Sequence, residues 1–208
     1  MTKKRVFVLA AGLAVFAVIA CFVARGDVLV FDTAVREWFY SIRSDALTCI
    51  LKVITYMGNW QSITILCVIL LLFKKTRIPY GIPVSCGAIL VTALNKVVKV
   101  IFKRPRPDVE YHLIEQGGYS FTSGHAITSF VVFGLLIYLV RRHVKNKRAA
   151  NLLTVLLLIP MFFIGISRIY LGVHFPTDVL GGWSLGLAVL TVLIALEETY
   201  ISKKIVSL

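Results

Sequence analysis

Lys3-Lys4-Arg5 runs directly into VFVLAAGLAVFAVIACFVA, residues 6–24, an unbroken apolar stretch of 19 residues. At about 1.5 Å of rise per residue this makes a helix about 28 Å long, close to the hydrocarbon thickness of a bilayer. A cleaved signal peptide is the rival reading. Val18-Ile19-Ala20-Cys21 resembles a lipoprotein cleavage site, but apolar residues continue past the cysteine, so the stretch reads as a retained span.

The rest of the chain repeats the pattern. It is 58% hydrophobic over 208 residues, with a mean hydropathy of +0.86, too apolar for an ordinary soluble domain. Asp27 to Asp45 is mixed, with Trp38, Phe39 and Tyr40 beside Arg36 and Glu37, and reads as an interfacial segment with aromatic anchors. Ala46 to Met57 is apolar apart from Lys52, and Gly58-Asn59 then interrupts. Trp60 to Phe73 is short for a span and is expected to borrow residues from before Gly58. Further spans are expected at Tyr80 to Phe102, His125 to Val140, Asn151 to Ile166, and Pro176 to about Leu196. Pro105 and Pro107 end the first of these, and Pro176 suits the first position of the last. The expected fold is an all-α integral membrane bundle of six transmembrane helices, one domain over residues 1–208, with no internal repeat.

Charge gives an independent test. With the N-terminus inside, the inner segments hold Lys3, Lys4, Arg5, Lys74, Lys75, Arg77, Arg141, Arg142, Lys145, Lys147, Arg148, Lys203 and Lys204. These are 13 of the 23 Lys and Arg residues, as the positive-inside rule expects, so both termini are expected in the cytoplasm. The net charge of +13 thus reads as membrane topology and not as a nucleic-acid footprint. Cys21, Cys49, Cys67 and Cys86 lie in or beside apolar stretches without metal-ligand spacing and read as packing residues.

The same threading brings three polar blocks to the outer face: Lys99 with Arg106-Pro107, Ser123-Gly124-His125, and Ser167-Arg168 with His174 and Asp178. Ionisable groups in or beside membrane segments are costly and call for a function. Lys99, Lys103 and Arg106 are spaced by four and three and share one helical face if the helix reaches that far. Arginine meets phosphate oxygens with a planar fork, lysine as a point charge. Lys103 and Arg104 are read as snorkelling to the interface. Ser123 suits a helix N-cap, whose free N–H groups attract anions, and Gly124 allows close backbone approach. Asp178, four residues after His174, can fix the imidazole tautomer and make the other nitrogen more basic, or simply favour the first turn of its helix. A histidine–carboxylate pair could also ligate a metal, with His125 as a second histidine, but the surrounding cations argue against a cation there. No metal or other cofactor is expected.

Together the blocks resemble the type 2 phosphatidic acid phosphatase superfamily, which also includes vanadium haloperoxidases and bacterial acid phosphatases. The family's Lys, six residues, Arg-Pro is matched by Lys99 and Arg106-Pro107. Its Pro-Ser-Gly-His is matched by Thr122-Ser123-Gly124-His125, with threonine in place of proline. Its Ser-Arg, five residues, His, three residues, Asp is matched by Ser167-Arg168, His174 and Asp178. The resemblance implies a metal-independent lipid phosphate phosphatase. In it, His174 attacks phosphorus and becomes phosphohistidine, Asp178 orients it, and His125 protonates the leaving oxygen. Lys99, Arg106, Ser123, Gly124 and Arg168 hold the phosphate. The expected substrate is a membrane lipid phosphate such as phosphatidylglycerophosphate or phosphatidic acid, with undecaprenyl pyrophosphate as the alternative. An anion-binding membrane transporter, which also uses cations along a path, is the non-enzymatic reading, as is a membrane scaffold with relic motifs.

Overall fold

The computed structural model describes residues 1–26 and 28–201. Asp27, Lys203 and Lys204, all used in the sequence reading, lie outside the described residues. Regular structure among those residues is entirely helical: α1 (Lys3–Ala24), α2 (Val30–Ser41), α3 (Asp45–Tyr56), α4 (Trp60–Leu72), α5 (Lys74–Thr76), α6 (Ile82–Phe102), α7 (Gly124–His143), α8 (Lys147–Tyr170) and α9 (Pro176–Leu196). A π-helical turn, Arg77–Gly81, fuses α5 to α6, and a second, Glu197–Ile201, prolongs α9. Five helical stretches among the described residues are long and apolar enough to cross a bilayer, and α3 with α4, bent by 49° at their break, make a sixth when taken as one span. The protein is therefore an all-α, multi-pass membrane bundle.

The short Trp60 segment is preceded by α3 across a break at Gly58, and the two pass the length and hydropathy test only together. A Cβ on Gly58 would lie 2.6 Å from Ile164 Cγ2 and 3.1 Å from His125 Cδ2, so only glycine lets the break press against α8 and the start of α7. The span expected to begin at Tyr80 reaches back to Lys74, because the π turn carries the helix through the basic run.

Helix α7 is the centre of the bundle: 67% of its most apolar window is buried, against 17% for α1. Phe130, Val132, Phe133, Leu135, Leu136 and Leu139 of α7 fill the main core with Ile63, Cys67, Val84, Ala88, Met161, Ile164 and Leu190. Helix α1 touches the bundle along a thin stripe on α9. There a Cβ on Gly12 would sit 2.9 Å from the Ser184 carbonyl oxygen, so the two backbones approach closely. Phe7, Val15 and Val18 on the rest of α1 remain exposed, as a lipid-facing surface requires. Only Cys67 packs in the core; Cys21, Cys49 and Cys86 face outward. The packing role read for all four holds for one, because lipid covers apolar side chains as well as protein does.

The start of α1 and the end of α9 meet at one end of the bundle. Arg5 at the start of α1 pairs with Glu198 beyond α9, and Arg142 at the end of α7 pairs with Glu197. The motif residues lie at the opposite helix ends, where α6 and α8 finish and α7 and α9 begin.

Two local features of that end differ from the sequence reading. Helix α6 stops at Phe102, and Lys103 caps it in the left-handed region (φ 44°) with its N–H on the Lys99 carbonyl. Lys99, Lys103 and Arg106 therefore do not share a helical face. The aromatic segment forms the amphipathic helix α2, with Trp38 exposed as an interfacial anchor, but its Asp32 is fully buried.

Candidate active site

Each predicted residue is delivered by a helix end. Lys99 sits in the last turn of α6, and Arg106 follows in the loop. Ser123 is the N-cap of α7, its Oγ accepting from Ala126 N at 3.5 Å. Gly124 and His125 are the first helical residues, so their N–H groups have no intrahelical partner. Arg168 closes α8. His174 precedes α9, and Asp178 lies in its first turn, with Pro176 opening the helix as expected.

His174 is 2% exposed and Asp178 fully buried. His174 Nδ1 lies 3.3 Å from Asp178 Oδ2, and Nε2 lies 3.1 Å from Arg106 Nη1. A guanidinium only donates, so Nε2 carries the lone pair and Nδ1 the proton. Asp178 plays both roles read for it, since the same Oδ2 accepts from the Phe175 backbone N–H at 2.8 Å and so caps α9. Ser120 Oγ also donates to it.

Burial pushes the His174 imidazole well below its ordinary value despite the Asp178 carboxylate at Nδ1, and Arg106, Arg168, Lys99 and Arg104 push the same way. Arg106 is itself lowered to about 10 by burial. His174 is thus a neutral imidazole whose Nε2 lone pair accepts from Arg106, with further cations around it.

The cations point at oxygen. Arg106 donates to the Gly117 and Gly118 carbonyls at 2.9 Å and to the Val173 carbonyl at 2.7 Å. Lys99 Nζ donates to the Tyr119 carbonyl and, at 3.2 Å, to that of Ser120. Arg168 is 1% exposed; its Nη1 donates to Thr55 Oγ1 at 2.9 Å and its Nη2 to Gln116 Oε1. Its Nε is buried without a hydrogen-bond partner among the described residues. His125 Nε2 lies 2.7 Å from Asn59 Oδ1 in the α3–α4 break and makes no hydrogen bond to another predicted site residue. Thr122 donates to Asn95 Oδ1 at 2.7 Å, so the residue standing where the family has proline still fastens the loop.

Arg104 corrects the sequence reading. It does not snorkel but is 6% exposed, because it is ion-paired to Asp178 at 2.7 Å and to Asp32 at 2.9 Å. Lys103 is exposed as expected. Sequence reasoning also missed Asp32, Asn59, Thr55, Ser120 and Gln116. Only Asp32 carried a signal, as a carboxylate within an aromatic, membrane-associated segment.

Residues 80–201 match the PAP2 superfamily. The chain is 32% identical over 180 residues to phosphatidylglycerophosphatase B of Bacillus subtilis, covering 83% of this chain and 86% of that protein. It is 31% identical over 151 residues to an undecaprenyl-diphosphatase of Sulfolobus acidocaldarius, covering 70% of this chain and 67% of that protein. Among solved structures, it resembles that of a transmembrane PAP2-type phosphatidylglycerolphosphate phosphatase from Bacillus subtilis. The TM-score is 0.79 at 28% identity, over 91% of this chain and 97% of the other.

The buried neutral His174 predicts a pH signature in stability. Below the ordinary histidine value of about 6.5 the unfolded chain binds a proton that folded His174 refuses, so stability falls as pH drops through that window. In detergent, wild type loses up to about 1.4 kcal/mol per pH unit more than His174→Asn between pH 6.5 and pH 5. Parallel melting curves for the two proteins contradict this description of the site.

Proposed function

The chain belongs to the PAP2 superfamily and is a membrane lipid phosphatase, and we propose that it removes the terminal phosphate of a phospholipid through a phosphohistidine intermediate on His174. The observation that carries this reading is the disposition of His174: Nδ1 faces the Asp178 carboxylate, and the lone pair of Nε2 lies among cationic donors. A nucleophile for phosphorus needs that lone pair, which Arg106 releases as it turns to the phosphate, and the charge that develops on phosphoryl oxygens needs preorganised donors.

Phosphate oxygens bind Arg106, Lys99 and Arg168, whose free Nε adds a donor, together with the N–H groups and Ser123 hydroxyl at the start of α7. To do so they take over contacts now made by the Gly117 to Ser120 carbonyls. His174 Nε2 attacks phosphorus as the bond to the lipid oxygen breaks, and Asp178 balances the positive charge growing on the imidazole. His125, protonated as the imidazolium beside the bound phosphate, gives its Nε2 proton to the leaving oxygen in place of Asn59 and becomes neutral. Water, deprotonated by His125, then attacks the phosphohistidine, releasing phosphate and restoring His174. These cations supply the electrostatic stabilisation, so the reaction runs without a metal. The whole chain acts as a single membrane-embedded domain.

The preferred substrate is phosphatidylglycerophosphate or a similar phosphomonoester lipid such as phosphatidic acid. The fuller coverage of the relative named for the first lipid supports it over undecaprenyl pyrophosphate. Purified protein in detergent and EDTA is expected to release phosphate from phosphatidylglycerophosphate faster than from phosphatidic acid, diacylglycerol pyrophosphate or undecaprenyl pyrophosphate. No release from any of the four overturns the reading. In the same assay Arg168→Lys lowers kcat/KM about a hundredfold, since a buried bidentate donor is lost. Lys103→Ala stays within about twofold, as expected of an exposed charge. The reverse order contradicts the assigned grip.

We further propose that both termini are cytoplasmic and the active site faces out. The grouping of the Lys3–Arg5, Lys74–Arg77 and Arg141–Arg148 cations away from the motif helix ends supports this. In a background without native cysteines, Glu115→Cys is expected to react with an impermeant thiol reagent added to intact cells, and Lys145→Cys only after lysis. Labelling of position 145 alone in intact cells reverses the topology.

A further inference from the structure

Behind the nucleophile lies a buried chain of charges that reaches the interfacial helix. Asp178 Oδ1 accepts from Arg104 Nη1 at 2.7 Å, and Arg104 Nη2 donates to Asp32 Oδ2 at 2.9 Å. Thr177 closes the group: its N–H donates to Asp32 Oδ1 at 2.8 Å, and its hydroxyl accepts from Arg104 at 2.8 Å and donates to Asp32 at 2.7 Å. The Arg104 guanidinium also lies 4.1 Å from the centroid of the Phe175 ring, next in sequence to His174. Asp32 is 72 residues from Arg104 and 145 from Thr177, so α2 is recruited to this site from elsewhere in the chain.

We propose that Asp32 and Arg104 are positioning residues for phosphoryl transfer. Asp32 neutralises Arg104, so that Arg104 holds the Asp178 carboxylate in place without drawing its charge away from His174. The inference rests on His174 being the nucleophile.

The physical case is a count of charge around one imidazole. Lys99, Arg106 and Arg168 face the site to bind a dianion, and their field opposes any positive charge on His174. That charge must grow as the Nε2–phosphorus bond forms, and Asp178 is the carboxylate that meets the Nδ1–H. Arg104 bonded to Asp178 alone would cancel it and leave Lys99, Arg106 and Arg168 with no net negative charge to oppose them at His174. With Asp32 on its far side, Arg104 becomes the centre of a carboxylate–guanidinium–carboxylate group of net charge −1. The geometry of a clamp is kept and the negative charge facing His174 is retained. A brace that served folding alone would need neither the alternation of charge nor its attachment to the carboxylate holding His174. Buried ion groups of this kind are costly, and apolar packing would often stabilise a fold as well or better.

The test is steady-state turnover of the lipid phosphate that wild type hydrolyses best, alongside melting in detergent. Asp32→Asn is expected to lower kcat about tenfold or more, the scale seen when a partner behind a catalytic group is lost, with KM within about twofold. Asp32→Glu, which keeps the charge, recovers most of that loss. Asp32→Asn/Arg104→Gln, which removes both charges, turns over faster than Asp32→Asn alone. A lowered melting temperature with unchanged kcat per folded enzyme, or no recovery in either the Glu or the double variant, overturns the proposal and leaves a structural brace. If Asp32→Asn is not recovered folded, Arg104→Lys carries the test. It keeps the charge but cannot bridge both carboxylates, and the same selective fall in kcat supports the proposal, while unchanged kcat overturns it. Wild type that releases no phosphate from any lipid defeats the functional reading itself; active wild type with a silent Asp32→Asn defeats only this inference.

Discussion

The Asp178 carboxylate ties four separate parts of this structure together. Fully buried, it accepts from the Phe175 backbone at the start of α9, from Ser120 in the loop before α7, from Arg104 after α6, and lies against His174 Nδ1. A buried carboxylate is tolerable only with such a shell of donors. The shell in turn fixes where three helix ends stand relative to one another. Its position in the first turn of α9 adds the favourable field of a helix N-terminus. The same oxygen that caps a helix thus faces the imidazole, which couples the fold of this end of the bundle to the chemistry proposed there.

Around that carboxylate the protein concentrates cations where water is scarce. Lys99, Arg106 and Arg168 would repel one another there, and the structure offsets this with carbonyl oxygens from Gly117 to Ser120 and the side-chain oxygens of Thr55 and Gln116. A phosphate dianion meets the same need with more charge. Binding energy and transition-state stabilisation then arise from one preorganised field, the arrangement expected of an electrostatic catalyst. Burial and the same field together hold His174 neutral, so Nε2 keeps its lone pair.

The sequence disclosed the parts that are local in the chain. Hydropathy located the spans, and the His174–Asp178 spacing of four, the Ser123 cap and the Pro176 helix start were all legible because each depends on residues within a turn of one another. The parts that depend on distant contacts were not. Arg104 sits between Lys103 and Pro105, where a surface cation is the natural reading, and only the arrival of Asp32 from α2 makes burial favourable. Asn59 and Thr55 reach the site because α3 and α4 break at Gly58, and the angle of that break is set by packing against Ile164 and His125. The neutrality of His174 was not legible for a related reason. The pairing with Asp178 is local, but the burial and the cations that outweigh it come from α6, α8 and the loop after α6.

The central claim is that His174 becomes covalently phosphorylated while His125 serves both halves of the reaction. Its most direct test is rapid quenching, under alkaline conditions, of His125→Ala turning over radiolabelled nitrophenyl phosphate, whose acidic leaving group needs no proton. The account predicts acid-labile label that accumulates on His174 and is absent from His174→Ala. Turnover of the labelled ester without covalent phosphate at any time, or label on His125 in His174→Ala, would contradict it.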